Sequence, residues 1–224
     1  MKIKEIFKHC EGGKLFFMSD LHYNHFNVLS MDKRGFNSID EMNSYIVEEL
    51  KTKLTPEDTL FDLGDLFWSC NIETCKNVLE SIPTKNIYKL MGNHDKPEIY
   101  IDRAGNSIHK YFKEIADIMD IKVEYNGMLY RVALSHYPII DYNYMYGGGL
   151  HLFGHTHGHM DSWTQNNSRL MVDVGFSASL SKSYGSFLIP FDYIIEHFEK
   201  KTNGLKFTKW ANEKYHEPEF WNKK

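Results

Sequence analysis

The sequence predicts an α/β fold built on a largely parallel sheet. Apolar runs of strand length alternate with helical patterns in the first half of the chain, which is typical of parallel strands joined by right-handed crossovers. Several of these runs end in polar clusters, namely Asp20-Leu21-His22, Gly64-Asp65, Gly92 to Asp95 and Gly154 to His157. In open α/β sheets, ligands bind where the strands end. The clusters therefore predict a functional site at one rim of the sheet.

The first half of the chain supplies three strands and two helices. Strands are predicted at Lys14 to Met18, Thr59 to Leu63 and Ile87 to Met91. One helix begins at Ser38, because Ser38 and Glu41 form an S-x-x-E capping box and apolar residues follow at helical spacing until Pro56. Another helix runs from about Ile72 to Ser81 and ends before Pro83.

The second half has a different pattern. Asn126-Gly127 is a strong type I′ hairpin signal between predicted strands at Lys122 to Tyr125 and Met128 to Leu134. We therefore expect this half to be more antiparallel. Ahead of the hairpin, Ser107 to Met119 is amphipathic. Further strands and a closing helix are predicted at Leu150 to Phe153, Arg169 to Val174, Ser186 to Ile189 and Asp192 to Lys200.

Length and composition limit the class of protein. The 224 residues, 42% of them hydrophobic and 25% charged, are enough for one sizeable globular domain. We expect a single domain over residues 1–224, with 202–224 as a polar and aromatic C-terminal tail. No signal peptide or run of about 18 apolar residues is visible, and the few cysteines, odd in number, favour a reducing compartment. A cytoplasmic protein without a membrane partner is expected.

The charge balance bears on the kind of substrate. A formal net charge of −4 and an isoelectric point near 6.3 argue against a protein whose main task is to grip the nucleic-acid backbone. A nuclease stays open, because bound metal ions would reverse the local field.

The polar clusters are weak signals when taken one at a time. A lone histidine is more often a satisfied surface or core residue, and an aspartate after a glycine is often a turn residue. Five motifs in this order, however, resemble the calcineurin-like metallophosphoesterases, and the small phage and bacterial members most of all. The family's D-x-H, G-D, G-N-H-[DE], lone H and G-H-x-H motifs match Asp20 to His22, Gly64-Asp65, Gly92 to Asp95, His136 and Gly154 to His157.

The resemblance implies a four-layer αββα sandwich, in which two mixed β-sheets are flanked by helices and a dinuclear metal centre lies at the loop ends. One metal would be held by Asp20, His22, Asp65 and His157. The other would be held by Asp65, Asn93, His136 and His155, so that Asp65 bridges the pair. Two such ions can hold one hydroxide for in-line attack on a phosphoryl group. Oxygen and imidazole ligands suit Mn, Fe, Zn, Ni, Co or Mg, and we favour manganese.

Five further side chains have expected roles around the metals. His94 would protonate the leaving group or stabilise the phosphoryl oxygens, and Asp95 would orient it, although Asp95 could instead cap the next turn. His25 would contact the substrate or leaving group, or hydrogen-bond behind the ligands. Trp68 and Tyr137 could stack on a base or aryl group, or simply pack as core and loop aromatics.

These residues predict a metal-dependent phosphoesterase, with small or nucleotide-like phosphodiesters favoured as substrates. Lys and Arg are absent from segments 19–31 and 60–73 and from 133–168, whereas a monoester dianion would be well served by them. A phosphomonoesterase, a nuclease of the same fold and a catalytically silent protein-interaction scaffold are the alternatives. Every ligand position is intact, which favours an enzyme over a scaffold.

Overall fold

A computed structural model describes residues 2–100 and 107–202. Two five-stranded sheets pack face to face, with helices around them. The strands are β1 Lys2–Lys8, β2 Leu15–Met18, β3 Thr59–Asp62, β4 Asn86–Leu90, β5 Glu114–Ala116, β6 Ile118–Tyr125, β7 Met128–Ser135, β8 Leu150–Phe153, β9 Met171–Asp173 and β10 Ile189–Pro190. The α-helices are α1 Val28–Met31, α2 Ile39–Lys53, α3 Ile72–Ser81, α4 Pro97–Tyr100, α5 Asp161–Asn166, α6 Ser179–Tyr184 and α7 Phe191–Lys201.

Both sheets are mixed, as the predicted fold class requires. The strand order is β1-β6-β7-β8-β9 in one sheet and β10-β2-β3-β4-β5 in the other. In the second sheet, β2 to β5 are parallel, and β10 alone runs antiparallel to its neighbour β2. The carboxyl ends of β2, β3 and β4 therefore lie at one edge, which is where the predicted ligand loops begin.

Two apolar clusters hold the layers together. The cluster between the sheets joins residues such as Phe17 and Phe61 of the second sheet to Val132 and Leu152 of the first. A separate cluster packs α2 and α3 against the outer face of the second sheet, with Met42, Ile46 and Leu50 on the buried side of α2.

The strongest local signals of the sequence are confirmed. Ser38 precedes α2, and its hydroxyl accepts a 3.1 Å hydrogen bond from the amide of Glu41. Asn126 and Gly127 both have positive φ, 50° and 72°, as a type I′ turn between β6 and β7 requires. The predicted helix Ile72 to Ser81 agrees with α3.

The second half of the chain differs from its local sequence patterns in two respects. The amphipathic segment Ser107 to Met119 contains only a 3₁₀ turn, His109–Tyr111, followed by the edge strand β5 and the start of β6. This half is also less antiparallel than expected, because β7, β8 and β9 pair in parallel. The connections from β7 to β8 and from β8 to β9 are long enough to return the chain to the same end of the sheet, as parallel pairing requires. Local sequence patterns do not indicate the direction in which such strands pair.

The ends of the chain add little to this picture. The short helices α1, α4, α5 and α6 and the strand β1 have no counterpart among the predicted elements. Within the predicted tail, residues 203–224 lie outside the described residues. None of the helices found between residues 2 and 202, the gap at 101–106 aside, has the length and apolar character needed to span a membrane.

Candidate metal centre

The loops that follow five strands bring the predicted ligands to one place between the sheets. Asp20 and His22 follow β2, Asp65 follows β3, and Asn93 follows β4. The first sheet contributes the other three predicted ligands, His136 after β7, and His155 and His157 after β8. The site therefore needs both sheets, and packing of one sheet on the other assembles it.

One group of donor atoms consists of Asp20, His22 and His157. Nε2 of His22 lies 3.2 Å from Nε2 of His157, and Nε2 of His157 lies 3.5 Å from Oδ1 of Asp20. All three donor atoms lie within 4.8 Å of one another. This spacing allows one ion to contact all of them.

A second group lies beside the first. Nε2 of His136 lies 3.4 Å from Oδ2 of Asp65 and 3.0 Å from Oδ1 of Asn93, which in turn lies 2.8 Å from Nδ1 of His155. Oδ2 of Asp65 also lies 3.8 Å from Nε2 of His22. Asp65 thus contacts residues of both groups, as expected of a shared ligand. Asp20 also clusters with Asp65 and His136, which the sequence did not indicate.

The chemistry of these residues fits a cation. Oδ1 of Asp20 is buried and accepts no hydrogen bond from the described residues, and imidazole nitrogens of His157 and His22 lie 3.5 and 3.9 Å from it. An ionised carboxylate oxygen without a partner is costly in the protein interior. Carboxylate, amide and imidazole donors, with no thiolate, suit Mn, Fe, Zn and related divalent ions.

Backbone conformation at the site is unusual. Five of the predicted ligands have left-handed φ values, namely Asp20 at 56°, His22 at 49°, Asp65 at 56°, His155 at 67° and His157 at 51°. Non-glycine residues adopt this region at a cost, and such strain gathers at functional sites. At Gly92, a Cβ atom would collide with the Asp65 carboxylate, so only glycine allows these loops to pass so closely.

The histidines of the site differ in their affinity for protons. Burial alone would lower the pKa of His157, but the nearby carboxylates of Asp20 and Asp32 raise it to about 10. Burial lowers the pKa of His22 to about 4, so its imidazole is neutral and ready to bind a metal. Burial opposes ionisation of Asp65, yet its hydrogen bond to His136 brings the pKa of the carboxyl below its ordinary value.

Asp95 makes several contacts through its carboxylate. Its Oδ2 accepts hydrogen bonds from the amides of Asp65 and Gly92, at 2.9 and 2.8 Å, and its Oδ1 accepts one from the hydroxyl of Tyr100 at 2.8 Å. Lys89, fully buried, lies 2.8 Å from the same Oδ2. Both carboxylate oxygens are thus engaged by groups other than the His94 imidazole. The carboxylate ties the loops after β3 and β4 together, and its role in orienting His94 stays a prediction.

The remaining predicted residues form an aromatic wall. The His94 ring lies 5.5 Å from that of His22 and 4.5 Å from that of Trp68, and His25 stacks on Trp68 at 3.7 Å with nearly parallel planes. Tyr137 stands on the other side of the centre, 4.5 Å from the His155 ring. His25, Trp68 and His94 therefore form one aromatic group, whereas Tyr137 packs beside His155.

Three polar residues behind the ligands were missed by the sequence reading. Asp32 lies 2.6 Å from Nδ1 of His157, and Arg34 donates to the main-chain oxygen of Asp20 at 2.7 Å. Asp173 accepts hydrogen bonds from the Thr156 hydroxyl and the Gly158 amide at 2.5 and 3.0 Å. Asp173 lies at the end of a strand-like run and close to a glycine, a pattern similar to that of Asp65, so the sequence could have indicated it. Asp32 and Arg34 lie in a charged loop, and no sequence pattern there indicates a functional residue.

Comparisons with known proteins give the family and a similar fold. A model of the calcineurin-like phosphoesterase family matches residues 13–175. An uncharacterized protein of Methanocaldococcus jannaschii is 28% identical over 190 residues, which cover 84% of this chain and 92% of the relative. A crystal structure of an Aquifex aeolicus protein of unknown function has a TM-score of 0.60 at 24% identity, covering 83% of this chain and 99% of the other. That last likeness concerns the fold alone.

Proposed function

Because this chain belongs to the calcineurin-like phosphoesterase family, we propose that it hydrolyses small, nucleotide-like phosphodiesters with the help of two divalent metal ions. Asp20, His22, Asp65 and His157 would hold one ion, and Asp65, Asn93, His136 and His155 the other. The observation that carries the proposal is the position of Asp65, whose Oδ2 lies 3.8 Å from Nε2 of His22 and 3.4 Å from Nε2 of His136.

The bound ions, manganese by our preference, would activate a water for in-line attack and neutralise charge on the phosphoryl oxygens. His94 supplies what the ions cannot, a proton for the departing oxygen. Its amide donates a 2.8 Å hydrogen bond to Oδ1 of Asp65, which fixes the backbone of His94 to a ligand. The imidazole is exposed, beside His22 and Trp68, where an incoming substrate can reach it.

The surroundings of the site support a diester with a flat leaving group. Trp68 is half-buried, Tyr137 is 49% exposed, and Phe26, which follows His25, is 68% exposed. Such rings can stack on a base, at about 1–3 kcal/mol per stacked base in single-strand complexes. Arg34 and Lys89 lie beneath the site, but both are buried and engaged by carboxylates. They are therefore not free to neutralise the second charge of a monoester.

The test is a hydrolysis panel at fixed metal and salt, run on chelator-treated protein before and after adding Mn²⁺. An aryl monoester, an aryl diester, 2′,3′- and 3′,5′-cyclic nucleotides and single-stranded oligonucleotides make up the panel. We expect kcat/KM to be highest for a small diester and to vanish without metal. A preference for the monoester points to a phosphomonoesterase. Oligonucleotide cleavage that falls steeply with salt points to a nuclease. Metal-loaded protein that hydrolyses nothing favours a scaffold.

A further inference from the structure

One loop, residues 32–34 after α1, contacts two residues of the first donor group, His157 and Asp20, and also Leu21, the neighbour of the third. Oδ2 of Asp32 lies 2.6 Å from Nδ1 of His157, the ring nitrogen opposite the one that faces Asp20 and His22. From the same loop, Arg34 donates hydrogen bonds of 2.7 Å to the main-chain oxygens of Asp20 and Leu21. Asp20 follows a strand of the second sheet, and His157 follows a strand of the first. The loop therefore contacts residues that the two sheets supply separately.

Asp32 is itself held in place. Its Oδ2 accepts a 2.7 Å hydrogen bond from the Ser177 hydroxyl and one of 3.1 Å from Nη2 of Arg34. The side chains of Asp32 and Arg34 are only 7% and 1% exposed, so solvent screens the pair little. The guanidinium of Arg34 also lies 4.3 Å from the centre of the Phe176 ring, which restrains it from a further side.

We propose that Asp32, held by Arg34 and Ser177, is the positioning residue of His157 and thereby sets the affinity of the Asp20, His22 and His157 group for its metal ion, without affecting the other ion. A carboxylate on the far nitrogen of a ligating histidine fixes the tautomer and ring orientation and raises ligand basicity, and its loss typically costs 10–100-fold in metal affinity. The second donor group depends on other contacts, since Nδ1 of His136 lies 2.9 Å from the Leu63 carbonyl oxygen. This inference rests on the proposed metal binding, not on the proposed substrate.

Two single-ion backgrounds separate the effects. His155→Ala removes a ligand of the second group, and His22→Ala removes one of the first. Mn²⁺ binding is then measured by electron paramagnetic resonance of the free ion, with and without Asp32→Ala. We expect Asp32→Ala to weaken Mn²⁺ binding about 10–100-fold in the His155→Ala background. In the His22→Ala background we expect no change.

The conservative variant and a matched control complete the design. Asp32→Asn keeps an acceptor for the imidazole N–H and should recover part of the lost affinity. Asp40→Asn removes an exposed carboxylate in the first turn of α2 and should alter neither ion. If Asp32→Ala does not fold, Arg34→Lys replaces it, because lysine lacks the planar fork that grips two carbonyls and a carboxylate.

Equal weakening of Mn²⁺ in both backgrounds, or none in either, overturns the inference. Wild-type protein that binds Mn²⁺ but hydrolyses no phosphate ester would overturn the proposed function and leave this inference standing. Wild-type protein that binds no Mn²⁺ at all would overturn both.

Discussion

The amide of His94 donates a 2.8 Å hydrogen bond to Oδ1 of Asp65, which joins the proposed proton donor to the proposed shared ligand. The other oxygen of the same carboxylate faces the imidazoles of His22 and His136. The Asp65 carboxylate thus holds the backbone of His94 with one oxygen. Its other oxygen faces one histidine from each donor group. The proposed metal binding and the proposed proton donation therefore meet at Asp65, and variants should separate them.

His94→Ala should leave the metal content unchanged and slow hydrolysis of a poor leaving group by roughly 10²–10⁴-fold, the usual size of general-acid catalysis. The loss should be smaller for nitrophenolate, which hardly needs a proton. Steady-state rates on alkyl and nitrophenyl diesters measure the difference. Equal losses on both esters would mean that His94 acts on the phosphoryl oxygens instead. Asp65→Ala is the contrasting variant, in which metal content and activity should fall together.

Gly92→Ala should abolish metal binding, because the added methyl group would collide with the Asp65 carboxylate and with the Asp65 amide nitrogen. The carboxylate would have to turn away from the two histidine groups. Elemental analysis of purified protein reports the outcome. Gly12→Ala is the control, since its methyl group would meet no atom within 4 Å even though its φ of 86° makes the change mildly strained. Full metal content in Gly92→Ala would argue against the close packing of these loops.

Lys89→Met should destabilise the protein. The Lys89 ammonium is fully buried and lies 2.8 Å from Oδ2 of Asp62 and 2.8 Å from Oδ2 of Asp95. Its removal leaves two buried carboxylates without their cation, a change that costs about 3–5 kcal/mol in comparable pairs. For a domain of this size, the melting temperature should drop by about 6–20 °C.

A matched control for Lys89→Met is Lys53→Met, which removes a partly exposed ion pair with Glu49 on α2. Exposed pairs contribute about 0–1 kcal/mol, so this variant should melt near the wild-type temperature. A melting temperature for Lys89→Met equal to that of Lys53→Met would contradict the importance of the buried triad. Thermal unfolding followed by circular dichroism measures both.

Metal uptake near pH 8 should release protons. Burial opposes the charged form, but the carboxylates of Asp20 and Asp32 raise the pKa of His157 to about 10, so the imidazole is protonated at pH 8 in the metal-free protein. A metal ion requires the neutral ring, so binding must expel that proton. Apparent affinity should therefore rise with pH up to about 10. The raised pKa of His157 also adds to the free energy of unfolding of the metal-free protein. That contribution is complete below pH 6.5 and is lost as the pH rises toward 10.

Proton release can be measured directly by titrating unbuffered protein with MnCl₂ in a pH-stat. At least one proton per protein is expected at pH 8. His157→Ala should release one proton fewer. An unchanged count in that variant would show that the proton comes from another group.

Local chemistry made much of this protein readable from its sequence. Some signals depend only on neighbouring residues in the chain: the Ser38 cap, the Asn126-Gly127 turn and the strand-like runs before each polar cluster. The structure has a helix, a hairpin and strands at these positions. The family motifs likewise depend on spacing within single loops. Fold class and the seven predicted ligands could therefore be named before any strand was paired.

Tertiary structure decided the rest. Ser107 to Met119 is amphipathic yet joins a sheet edge at β5, because pairing with β4 outweighs a weak helical period. Asp95 belongs to a family motif, but its carboxylate contacts the buried side chains of Lys89 and Tyr100. These lie 6 residues before it and 5 residues after it in the chain. Asp32 acquires its position only because His157, 125 residues away in the chain, folds against it. Contacts of such separation arise from the packing of two sheets, which no local pattern encodes.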